Sequence, residues 1–201
     1  MEPDKTLSRR ERKKLRTREA ILDAARRHFA EKGVNGVRME EIAESADIAR
    51  ATLFNYFPSR GEIVAQLVAD YDDSFFERLE IWRMRTRDPV QRMRGLLVET
   101  GRRLVQAPGA RAIISASEAS WNEEAGERRM RRLHEAFARL LDLDEEGGEG
   151  AAADGVTRTM IVEAAVSIYV GVIHNWRLSA DYDVERHLAG AAQLIGRLMR
   201  S

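Results

Sequence analysis

The sequence predicts an all-helical protein in two parts, and three observations carry that expectation. Two short apolar patterns, Met39, Ile42 and Ala43 and then Leu53 and Phe57, flank a tight break at Ala46–Asp47–Ile48, which is the outline of a helix-turn-helix. Beyond residue 62, apolar side chains recur at three- and four-residue spacing in one segment after another. Helix-start signatures precede these segments, among them Ser59 with Glu62 and Asp88 with Pro89. A chain of 201 residues can bury a core either as one domain or as a small domain joined to a larger one. The expected division is a basic N-terminal extension over 1–17, a three-helix module over 18–61 and a larger helical domain over 62–201.

Residues 1–18 hold eight basic and three acidic side chains. Ser8-Arg9-Arg10-Glu11 has capping-box spacing, so the first helix starts either there or near Thr17. The charge run suits a solvated end, and equally an arm reaching phosphates or a minor groove. From Arg18 to Lys32, the residues Ile21, Leu22, Ala24, Ala25 and Phe29 form one apolar face, and Gly33 supplies the stop. His28 has no second metal-type ligand at helical spacing and is read as structural.

After the motif, Val64, Val68, Tyr71, Phe75 and Leu79 mark a long helix. Asp88-Pro89 starts the next, which carries Met93, Leu97 and Leu104 inward and ends at Pro108-Gly109. A shorter helix follows over about 110–120. Asn122-Glu123-Glu124 opens another, with negative charge where the helix dipole favours it and Met130, Leu133, Phe137 and Leu140 inward. Residues 144–153 are acidic, Gly-rich and aperiodic, so a loop is expected there. From Ile161 to Ile173 the apolar positions go nearly all the way round. The last helix, Val184 to Met199, joins an apolar stripe to the small residues Ala189, Ala192 and Gly196. Both patterns suit helices covered on two faces, one by their own core and one by a second subunit.

The order of residues inside the motif is more specific than its outline. An Ile-Ala pair followed by Ala51-Thr52-Leu53-Phe54-Asn55-Tyr56-Phe57-Pro58-Ser59-Arg60-Gly61-Glu62 closely resembles the DNA-binding segment of TetR-family transcription regulators, over about residues 18–67. The resemblance implies a sequence-specific transcriptional regulator, a repressor released from a palindromic double-stranded DNA operator by a small hydrophobic effector. It also implies a homodimer through the last two helices, and no cofactor. It places Arg50, Ala51 and Thr52 at the start of the recognition helix, against base edges and groove. Arg50 suits guanine and Asn55 suits adenine, each good bidentate pair being worth about 1–3 kcal/mol of discrimination. Tyr56 and Arg60 match positions that hold phosphates, so they set register and affinity. Three departures stand out: Phe54 where a phosphate-binding tyrosine is usual, and Arg38 and Ala49 where Ser or Thr would cap the two motif helices. A missing cap costs about 0.5–2 kcal/mol, while Arg38 adds a cation toward the phosphates.

Trp82, Met93, Leu97, Trp121, Phe137, Tyr169 and Trp176 are candidates for lining an effector pocket, being large side chains on the helices that the resemblance assigns to it; core packing is the competing role for each.

Composition narrows the alternatives. Basic and acidic residues balance at 33 each, yet residues 1–60 hold 14 and 10, which concentrates positive charge at the motif end. The absence of cysteine rules out disulfides and thiol chemistry. The longest apolar run, Met160 to Ile173, contains Glu163 and is too short to span a bilayer comfortably, and the charged start is not followed by an apolar core. A cytoplasmic protein without membrane contact is therefore expected. An enzyme is not expected, because no phosphate loop, nucleophile elbow or metal-ligand cluster is present; a metal or proton-transfer site would need His134 and His174 to converge. A regulator without a small-molecule effector, governed by a protein partner or its own abundance, is the remaining alternative.

Overall fold

The computed structural model describes residues 8–118, 123–143 and 157–199, and these form helices without any strand. In chain order they are α1 (Arg9–Lys32), α2 (Met39–Ser45), α3 (Arg50–Tyr56), α4 (Arg60–Arg85), α5 (Pro89–Gln106), α6 (Ala110–Glu118), α7 (Glu123–Leu140), α8 (Arg158–Leu178) and α9 (Val184–Leu198). The expected loop over 144–153, Asn122 and the pocket candidate Trp121 lie outside the described residues.

The earlier of the two possible starts for α1 is the one adopted. Ser8 Oγ accepts from the Glu11 N–H at 3.2 Å, and the Glu11 carboxylate accepts from the Ser8 N–H at 2.8 Å, so both halves of the capping box form. Gly33 ends the helix at φ 69°, with its N–H donated to Phe29 O. Asp88 caps α5 through the N–H groups of Val90 and Gln91, Thr157 caps α8 through Met160, and Asp183 caps α9 through Arg186.

The described residues gather into two compact units, Met1–Ala69 with Pro108–Ser117, and Asp70–Ala107 with Glu118–Ser201. In the first, Ile21 and Phe29 of α1, Ile42 of α2, Leu53 of α3, Ile63 and Leu67 of α4, and Ile113 of α6 are wholly buried. The helix α6 thus packs with the first unit, although the chain on either side of it belongs to the second. Its approach to α1 is close. A Cβ on Gly109, which has φ +70°, would stand 2.9 Å from Arg26 O and 3.0 Å from Ala30 N.

The second unit packs α5 against α9 and α7, with α8 bridging α7 and α9. Met93 and Leu97 of α5, Phe137 of α7, Ala165 of α8 and Leu188 of α9 are fully buried there. Arg92, 7% exposed, is held by Thr86 O at 2.7 Å, Leu140 O at 3.3 Å and Asp142 Oδ1 at 2.7 Å. The stripe expected on α4 is only half of what that helix buries. Phe75 and Leu79 are buried in the second unit, where Tyr71 is half-buried; in the first, Ile63 and Leu67 are the deepest side chains, Val64 is buried with them and Val68 is half-buried. A helix serving two cores turns a different face to each, which no single stripe describes.

Candidate nucleic-acid interface

The turn between α2 and α3 is made by Asp47, in the left-handed region at φ 53°. Few side chains tolerate that conformation, and the short carboxylate of Asp is one that does. The turn sets α3 on the surface: of its seven residues, Leu53 alone is buried. Arg50, Ala51 and Asn55 are exposed, and Thr52 and Tyr56 are half-exposed. Every residue that the sequence assigns to base edges is therefore presented together on one short helix, as groove reading requires.

Arg50 opens α3, where a cation opposes the helix dipole. Its Nε lies 3.0 Å from Glu40 Oε1 of α2, and its guanidinium sits 5.4 Å from the Phe54 ring centroid. Two neighbours thus define the plane and direction of an otherwise flexible side chain. The Glu40 contact joins α2 to α3 and is not legible in the sequence, whereas Phe54 stands four residues after Arg50 on one helix, at a spacing where side chains meet.

The absent cap of α2 is handled from the other side. Arg38 supplies no side-chain acceptor, yet Glu41 accepts from the Arg38 N–H at 2.8 Å and from Lys32 Nζ at 2.6 Å. These two contacts, that of Lys32 foremost, hold the Glu41 carboxyl down to about 2 from 4.5. A carboxyl lowered by folding adds stability that is complete above about 4.5 and disappears as pH falls toward 2. The melting temperatures of the parent and Glu41→Gln should accordingly differ most near neutrality and converge between those two values. A gap that stays constant with pH would show that the charge is not involved.

Arg38 itself is exposed, and its side chain stands at the surface beside α2 with Nε 3.8 Å from Glu41 Oε2. Arg60 is not so placed. It is half-buried and donates Nη1 to Asn35 O at 3.2 Å and to Val37 O at 2.9 Å, tying the start of α4 to the segment before α2. Arg60→Ala should therefore lower stability by about 1–2 kcal/mol and weaken binding to all DNA sequences alike. Calorimetry beside a salt titration checks this: a flatter salt dependence with unchanged melting would leave Arg60 a phosphate contact alone. His28 joins α1 to α2 through Ser45 Oγ at 2.7 Å, in keeping with a structural role. The first two turns of α1 expose Arg9, Arg10, Arg12, Lys13, Lys14 and Arg16.

The described pocket candidates belong to the second unit. Met93, Leu97, Phe137, Tyr169 and Trp176 are buried and Trp82 is half-buried. Tyr169 stacks on Phe75 at 5.0 Å and lies 5.7 Å from Phe137, and burial pushes its hydroxyl up to about 12. Trp82 lies over Gly95, where a Cβ would collide with its ring, and donates Nε1–H to Glu99 at 2.9 Å. The histidines of this unit turn to local partners: His134 Nδ1 to Met130 O, His187 Nδ1 to Asp183 O, and His174 beside Arg177. Among the described residues no three His, Asp or Glu side chains are grouped to hold a metal ion.

Residues 21–67 match the family model described as "Bacterial regulatory proteins, tetR family". Over 78 residues the chain is 31% identical to the HTH-type transcriptional repressor KstR2 of Mycobacterium tuberculosis, covering 39% of each. Over 79 residues it is 33% identical to the HTH-type transcriptional regulator RutR of Escherichia coli, covering 39% of this chain and 37% of the other. The matched part thus spans about two fifths of these curated relatives' length. The solved structure of SmeT, the repressor of the Stenotrophomonas maltophilia multidrug efflux pump SmeDEF, superposes with a TM-score of 0.65 at 25% identity, covering 89% of this chain and 87% of SmeT. A putative TetR-family regulator from Syntrophomonas wolfei superposes with a TM-score of 0.70 at 18% identity, covering 94% and 97%.

Proposed function

We propose that this chain, a TetR-family protein by its residues 21–67 and by its fold, is a transcriptional regulator that binds a palindromic operator as a homodimer and is released from it by a small molecule. The observation that carries this is the helix α3, which buries one residue and offers Arg50, Ala51, Thr52, Asn55 and Tyr56 outward from a rigid two-helix seat. Arg50 supplies a pair of donors for guanine, Asn55 a donor for N7 and an acceptor for N6–H of adenine, Thr52 and Tyr56 supply hydroxyls, and Arg38 supplies a cation for the phosphates. The six exposed cations at the start of α1 add positive charge to the unit that carries α3.

One such head covers a half-site only, so a palindrome needs two. The faces of α8 and α9 support a dimer. Ile161, Ala164, Ile168 and Val172 run along α8 half-exposed, Met160 and Leu194 are exposed, and Gly171 and Gly190 face open space. Of the three small residues expected to admit a neighbour on α9, Ala192 and Gly196 are buried within the chain's own unit and Ala189 is half-exposed, which leaves Ala189, Gly190 and the larger Leu194 for a second subunit. Burial of apolar side chains in the second unit supports a mainly hydrophobic effector, and α6, packed with the first unit but joined by chain to the second at both ends, supports a route between the two sites. No described helix is long and apolar enough to cross a membrane.

The test is selection of bound sequences from random duplex DNA, followed by a salt titration on the winner. A two-fold-symmetric site bound far more tightly than random DNA is the expected result. Binding without an enriched site, vanishing in modest salt, would overturn sequence-specific regulation.

A further inference from the structure

Two arginines are buried in the second unit, and they are treated differently. Arg92 spends its donors on two carbonyls and the Asp142 carboxylate. Arg78 of α4, 9% exposed, has one hydrogen bond among the described residues, from Nη1 to Ser74 Oγ at 2.5 Å, and its Nε is buried with no acceptor. A guanidinium keeps its charge at any ordinary pH, so burial without a counter-charge is expensive and calls for an anion.

Among the described residues no carboxylate is hydrogen-bonded to Arg78. The Glu99 carboxylate of α5 attracts Arg78, but its Oε2 accepts from Trp82 Nε1 and its Oε1 from Arg103 Nε at 3.0 Å. Burial, and then repulsion by Arg103 that exceeds the attraction of Glu99, hold the guanidinium below its ordinary pKa. Asp72, one turn and a half earlier on α4, is taken bidentately by Arg129 of α7, with oxygens 2.9 Å from Nε and Nη2. From α8 the neighbour is the Tyr169 hydroxyl, which stays neutral. Arg78 is thus a buried cation that no carboxylate contacts among the described residues, attracted by Glu99 and more weakly by the exposed Glu77 next to it in sequence, beside the aromatic cluster of Phe75, Tyr169 and Phe137.

We propose that Arg78 is the anchor for the effector, and that the effector is an organic monocarboxylate with an apolar or aromatic body. This rests on the effector-responsive reading above and narrows the chemistry of its ligand. A carboxylate presents the planar pair of acceptors that Nε and an Nη of one guanidinium fit. A single charge suits a single unmatched cation, and Glu99 disfavours a dianion. The aromatic cluster takes the body.

The full-length protein is melted with decanoate and with 4-butylbenzoate, each beside its neutral amide, and operator release is measured for the same four compounds. At tenfold excess over its dissociation constant a carboxylate should raise the melting temperature by about 3–5 °C; the amide should not. Arg78→Met should melt no lower than the parent without ligand, since it removes an uncompensated charge, and should lose the carboxylate shift. Arg78→Lys should keep a weakened one. Equal shifts from acid and amide, no shift from either acid, or a carboxylate shift that survives in Arg78→Met would each overturn the anchor. So would a large loss of stability in ligand-free Arg78→Met, which would make Arg78 a packing residue. Arg78-dependent carboxylate binding that leaves the operator occupied sustains the site and removes the effector reading; release by the amides alone does the reverse.

Discussion

Gly109→Val should lower the melting temperature by about 5–15 °C. Two costs combine. At φ +70° a β-branched residue is forced into the left-handed region, a penalty of roughly 1–2 kcal/mol. In addition its Cβ would lie 2.9 Å from Arg26 O and 3.0 Å from Ala30 N, which are backbone atoms of α1 that no rotamer change can move aside. Forced overpacking of that kind adds about 1–3 kcal/mol. The seat of α6 against α1 is what gives way, so the surviving protein should bind DNA with a blunted response to effector. Scanning calorimetry and operator release measured together decide it. A variant that melts with the parent and responds normally would mean that α6 is not tightly seated and that the signal takes another route.

The residues that escaped a reading of the sequence share a physical cause. Periodicity registers apolar side chains at helical spacing, and it located α1, α5, α7 and α9 because each buries one continuous face. It missed Ile63 and Leu67 because α4 changes buried face between two cores. It passed over Arg78 because a charged residue between Phe75 and Leu79 reads as the solvent side of a stripe, whereas in the fold it is 9% exposed. The motif order identified α3 and its outward residues, since that order reflects a local turn whose geometry is set by few residues. What it did not contain is where side chains go next. Arg60 turns back to Asn35 and Val37, and Arg50 reaches Glu40 of the preceding helix, through contacts between segments that no spacing rule encodes. The placement of α6 with the first unit has the same origin, a packing choice carried by Gly109 and Ile113 rather than by any local signal.

Arg50→Ala should relax base preference at one position in each half-site of a dimer. A bidentate arginine–guanine pair discriminates by about 1–3 kcal/mol, so the two symmetric copies together should narrow the ratio of operator to random binding by roughly 2–6 kcal/mol if their effects add. The Glu40 contact makes a second, opposite result available. With Nε held by Glu40 at 3.0 Å, the two Nη groups remain to meet O6 and N7 of a guanine in one orientation. Glu40→Gln keeps the shape but weakens that hold, and it also removes a negative charge from the exposed surface that the proposed function sets against phosphates. Binding to random DNA should therefore rise while the operator-to-random ratio falls, whereas Arg50→Ala should lower both. Measured on the selected site and on scrambled duplex at two salt concentrations, the two variants separate aiming from attraction. If Glu40→Gln strengthened operator and random binding by the same factor, Glu40 would be only a repulsive charge, and the direction of Arg50 would have to be set by Phe54 and the DNA itself.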